Sequence, residues 1–119
     1  MSDVTYDVAV WQGSRPADPA DAMGEFKRRR AHVRQQREPA SAEIAGFVAD
    51  LLDQYPEDNP DDLDDDSPWA TGPLIDEASG DFMYFAMTFS GARLAYDDVV
   101  RTAQRHNLVC FDPQTSELH

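Results

Sequence analysis

Residues Leu108–Gln114 read LVCFDPQ, an apolar run that holds the chain's only cysteine and stops at an Asp-Pro pair. A short apolar run bounded by turn residues matches a buried strand. The alternative is a thiol nucleophile served by His106 and Asp112. A reactive thiol needs a lowered pKa, partial exposure and a base in reach. Cys110 sits inside the apolar run, and His106 is separated from it by Asn107, a residue suited to the left-handed conformation that ends helices. Cys110 therefore reads as a small buried hydrophobe. Asp112 and Pro113 read as strand exit and turn, and Gln114 as a hydrogen-bonding residue at that turn.

Working outward, Tyr96, Val99, Val100 and Ala103 recur at helical spacing and predict a helix before Asn107. Before it, Ser90 and Gly91 read as a break. DFMYFAMTF ahead of them places Met83, Phe85, Met87 and Phe89 on one apolar face of a strand and Phe82, Tyr84, Ala86 and Thr88 on a mixed one. Asp76 to Gly80 carries the turn signals of a hairpin, with a short strand over Trp69 to Ile75 as its other arm. At the N-terminal end, Val4, Tyr6, Val8 and Val10 alternate with Thr5, Asp7, Ala9 and Trp11, a period of two. Two helices follow. Asp18 is the N-cap and Pro19 the first residue of one reaching Gln36; Ser41 caps a second whose stripe is Ile44, Phe47, Val48, Leu51, Leu52 and Tyr55, ended by Pro56.

The order β-α-α-β-β-α-β predicts a single α+β domain over residues 1–119. Its expected form is a two-layer sandwich, a ferredoxin-like split βαβ with an extra helix in the first crossover and helices on one face of the sheet. Between Pro56 and Trp69, PEDNPDDLDDDSP has no periodicity and strong self-repulsion, which predicts an acidic flexible loop at about 57–68.

The 119 residues, 41% hydrophobic and 28% charged, suit one globular domain that needs no disulfide. A formal charge of −13 argues against nucleic acid as a partner, because phosphate binding draws on cationic surface. No stretch is long enough to span a bilayer. MSDVTYDVAVW lacks the basic head and apolar run of a signal peptide, so a cytoplasmic location is expected. The charge is uneven: six of the ten basic residues lie between Lys27 and Arg37, and seven acids lie between Glu57 and Asp66.

Asp62, Asp64 and Asp66 alternate like a calcium loop, but Ser67 stands where that loop requires Gly and Pro73 where it requires Glu. No His and Cys spacing suits a metal, so neither a metal nor a cofactor is expected. The basic segment lacks interleaved aromatics and reads as a solvated helix face. If the first strand pairs antiparallel with LVCFDPQ, Asp7 approaches Asp112, and both fall on an open sheet face shared with Trp11, Tyr84 and Cys110. Such a face is a docking surface for a protein partner or a second copy of the chain.

YDVAVW at one end, LVCFDPQ at the other, and SPWA between an amphipathic helix and an aromatic strand resemble the pattern of a recurrent group of small uncharacterised bacterial proteins. Some similar acidic proteins serve as immunity or partner proteins for toxins. Charge and resemblance together lead to the expected function: a non-enzymatic interaction protein, immunity-like, that binds a basic protein partner. Its interaction residues would be Asp61, Asp62, Asp64, Asp65 and Asp66 on the loop and Asp7, Trp11, Tyr84 and Asp112 on the open face. The second reading is a small enzyme that uses Asp7 and Asp112 as acid and base.

Overall fold

A central strand flanked on both faces by helices organises the molecule. The computed structural model describes residues 5–56, 68–70 and 73–119. Eight helices and strands follow in chain order: β1 (Thr5–Trp11), α1 (Pro19–Gln35), α2 (Ala42–Gln54), β2 (Ala78–Ser79), β3 (Phe82–Thr88), α3 (Phe89–Arg105), β4 (Val109–Asp112) and β5 (Glu117–Leu118), with a 3-10 turn at Leu74–Glu77 before β2. The sheet order is β2-β3-β1-β4-β5. Every neighbouring pair is antiparallel.

The α+β class is as expected, and so is the antiparallel pairing of the first strand with LVCFDPQ, which sets Val10 opposite Cys110. The ferredoxin-like arrangement is not. β1 and β3 are antiparallel along their whole length, from Thr5 opposite Thr88 to Trp11 opposite Phe82, and the departure lies in the added edge strand and in the placement of the helices. The added strand, β5, extends the β4 edge.

The one-sided, two-layer expectation fails as well, because α1 lies on one face of the sheet and α2 with α3 on the other. Ala22 and Phe26 of α1 pack on Ala9, Trp11, Phe82, Val109 and Phe111. Ile44, Phe47, Val48 and Leu51 of α2, with Ala92, Ala95, Val99 and Ala103 of α3, pack on Val8, Val10, Met83, Phe85, Met87 and Cys110. The chain changes faces by passing the β2 edge between α1 and α2. There Gly80 N donates to the carbonyls of Glu38 and Pro39, and Ser41 N donates to Gly80 O at 2.7 Å.

The helix starts follow their capping residues. Asp18 accepts from Asp21 N ahead of α1, and Ser41 accepts from Ile44 N ahead of α2. The expected break at Ser90 and Gly91 is instead the first turn of α3: Thr88 leaves the strand and caps the helix by accepting from Gly91 N at 2.9 Å. Gly91 is required by proximity, since a Cβ there would stand 2.5 Å from Pro68 Cα and 2.7 Å from its carbonyl oxygen. Asn107 ends α3 with φ 57°, as its position predicted. Among the described residues of the stretch expected as a strand, Trp69 makes an isolated bridge to Met87, and Leu74 and Ile75 open the 3-10 turn; β2 follows at Ala78–Ser79.

No helix among the described residues is long and apolar enough to cross a membrane. The segment expected to be a flexible loop, at about 57–68, lies outside the described residues except for Pro68.

Candidate functional site

The Asp-Pro pair at the end of β4 makes the site. Asp112 is 1% exposed, and its Oδ1 accepts from the backbone N of Gln114 at 3.0 Å and of Thr115 at 3.3 Å, closing the turn into β5. The same oxygen accepts from Gln114 Nε2 at 2.7 Å. That amide continues onto β1: Nε2 donates to Asp7 O at 2.8 Å while Oε1 accepts from Asp7 N at 2.7 Å. The paired β1–β4 register covers only Ala9 to Trp11, so the Gln114 side chain supplies at Asp7 the two ladder bonds that β4 is too short to make.

The other oxygen, Oδ2, faces two tyrosines. Tyr6 OH donates to it, and Tyr96 OH lies 3.1 Å away. Tyr96 OH is also 2.7 Å from His119 Nε2. Burial pushes the Asp112 carboxyl up, but the hydrogen bonds from Tyr6, Gln114, Thr115 and Tyr96 outweigh it and hold it below the ordinary carboxylate range. Burial, with the neighbouring carboxylate, pushes Tyr6 up to about 12 and raises Tyr96 further. Asp112 is thus an ionised, fully engaged acceptor with two neutral phenols turned toward it.

The tyrosine rings form the back of a hollow of about 450 Å³, bounded by Tyr6, Phe89, Ala92, Arg93 and Tyr96. Tyr6 meets Tyr96 edge-on at 5.4 Å and Phe89 at 6.3 Å between centroids. Phe89, Ala92, Arg93 and Tyr96 follow i, i+3, i+4, i+7 spacing on α3. That signal was present in the sequence but hidden by reading Phe89 as the end of the strand.

The expected open face is covered by α1. Trp11 is 0% exposed, between Phe82 and Phe111 with Arg29 over its ring at 5.8 Å. Tyr84 is half-buried against Phe26, its ring under Arg30 at 4.7 Å, and its hydroxyl donates to Asp7 Oδ2 at 2.9 Å. Asp7 and Asp112 therefore point to opposite faces of the sheet. They are linked through Gln114, and the acid-base pair required by the enzyme reading is not formed. Asp61, Asp62, Asp64, Asp65 and Asp66 lie outside the described residues.

Cys110 is fully buried, and burial, with Asp112 nearby, pushes its thiol up to about 12. His106 turns away from it to Asp50, at 3.1 Å. Among the described residues no group of three His, Cys, Asp or Glu could hold a metal. Part of the basic helix face is tied down: Glu25 pairs with Arg28 and Arg29, and Asp81 with Arg29.

The described residues that flank the acidic segment are bonded to one another and to β3. Trp69 Nε1 donates to Tyr55 O at 2.8 Å, and Thr88 N donates to Pro68 O at 3.0 Å. Tyr55 OH in turn reaches Asp98 at 2.5 Å and Leu94 O at 3.4 Å. Leu94 is 61% exposed, the most exposed of the large hydrophobic side chains described.

Compared with protein-family models, curated proteins and solved structures, the chain matches none.

Proposed function

We propose that this chain is a non-enzymatic interaction protein that docks a basic protein partner, with an immunity-type role as its most concrete form. The observation that carries the reading is a placement. Seven acids lie between Glu57 and Asp66, in a segment whose flanking residues Tyr55 and Trp69 are bonded to each other beside the exposed Leu94. Acids at the rim of an interface steer encounter with a cationic surface, and an apolar side chain beside them holds the complex. The resemblance of YDVAVW and LVCFDPQ to a group of small uncharacterised bacterial proteins, with some similar acidic proteins acting as immunity or partner proteins, points the same way. The partner meets the α3 side of the molecule, not the α1-covered face that holds Trp11 and Tyr84.

The test is affinity capture from the native host at low ionic strength, followed by stopped-flow association of the purified partner. The association rate is expected to fall severalfold as ionic strength rises to about 0.15 M, where the screening length is about 8 Å. A partner that binds at a salt-independent rate would remove the charge argument.

A further inference from the structure

We propose that the hollow between β1 and α3 binds a small aromatic carboxylate. Its volume, about 450 Å³, falls among those of small-molecule sites. Among the described residues that line it, Tyr6, Phe89 and Tyr96 are aromatic, and Tyr6 and Phe89 present an edge-to-face pair that a planar ring can extend. The polar chemistry within reach is narrow. Tyr6 OH is committed to Asp112, and Tyr96 OH lies between Asp112 and His119, so neither phenol is left to recognise a ligand. The Asp112 carboxylate is sealed behind them at 1% exposure. What remains is the guanidinium of Arg93, which is exposed and has no ion-pair partner among the described residues.

An aromatic wall with a cation at its rim that is unpaired among the described residues selects a flat apolar body carrying one anion. A neutral aromatic would crowd Arg93 without pairing it, a bare anion would leave the rings unfilled, and a cation would be repelled. The hollow uses none of the acids that the protein-partner reading depends on, so the two stand or fall separately.

The test uses the full chain with 1-naphthaleneacetate, its neutral amide and acetate, followed by calorimetry and by amide chemical shifts. Naphthaleneacetate is expected to saturate one site, moving the signals of Phe89, Ala92, Arg93 and Tyr96. The amide, and the acid on Arg93→Gln, should each bind about tenfold more weakly or worse, the loss of a charge-assisted hydrogen bond. Acetate should not saturate. Phe89→Ala should weaken acid and amide alike. Arg93 is a surface residue, so an unchanged melting temperature certifies the variant. Absence of saturable naphthaleneacetate binding, equal binding of acid and amide, or undiminished binding by Arg93→Gln would each overturn the proposal.

Discussion

Asp112 shows what a single buried carboxylate does when every lone pair has a donor. It closes a turn, orients Gln114 and holds two phenols, so Asp112→Asn is expected to cost about 2–3 kcal/mol at neutral pH, measured by denaturant unfolding. The pH dependence has two limbs. The Asp112 pKa is lowered in the folded state, so its contribution is present above the unfolded value near 4 and is lost as pH falls through the folded value. Asp112→Asn should flatten that acid limb, while Glu25, Asp50 and Asp98, also held low by their partners, keep part of it. Tyr6 is raised, so its contribution is complete below about pH 10 and is lost as pH rises through about 12. Cys110, with a thiol near 12 and no exposure, should react with thiol reagents only as fast as the protein opens. Prompt labelling of folded protein at neutral pH would contradict that. Cys110→Ala should cost about 1–2 kcal/mol through lost packing.

Two elements depend on contacts made outside themselves. At the start of α3, replacing Gly91 by Ala should improve helix propensity by about 1 kcal/mol. It also drives a methyl group into the backbone of Pro68. Overpacking against backbone costs about 1–3 kcal/mol, so Gly91→Ala is expected to lower the melting temperature. A rise would mean that Pro68 yields freely. Along β1, Gln114→Ala removes the pair of bonds at Asp7 without touching the paired residues Ala9 to Trp11. Hydrogen exchange at the Asp7 amide should quicken by at least tenfold while that of Val10 stays slow.

Across the whole molecule, surface charge and fold are carried by different parts of the chain. Replacing Asp61, Asp62, Asp64, Asp65 and Asp66 by Asn should leave the unfolding transition nearly unchanged, and should slow association with a basic partner more than it speeds dissociation. Leu94→Ala, beside the residues that flank that segment, should do the reverse. Trp11 belongs to neither group. At 0% exposure between α1 and the sheet it is core, and Trp11→Ala should cost about 3–5 kcal/mol of stability.

The sequence by itself determined α1 and α2 with their caps, the body and end of α3, and the strands β1 and β4, because these are written in local terms: the Asp18 and Ser41 caps, the α2 stripe, the alternation from Tyr6 to Trp11, and the left-handed Asn107. It also placed Cys110 in the core. Only the tertiary structure decided which face each helix covers. Phe26 and Ala22 are the buried residues of a seventeen-residue helix, a stripe too narrow to say which sheet face it meets. The chain's passage around the β2 edge depends on Gly80 and Glu38, which no periodicity announces. The β1–β4 register, with Ala9 opposite Phe111, sends Asp7 and Asp112 to opposite faces, and the passage turns an expected docking surface into core. Thr88 can end a strand or cap a helix. Its role, and with it the alignment of Phe89, Ala92, Arg93 and Tyr96, was decided by the close packing of Pro68 on Gly91, a contact between residues 23 positions apart that local pattern cannot encode.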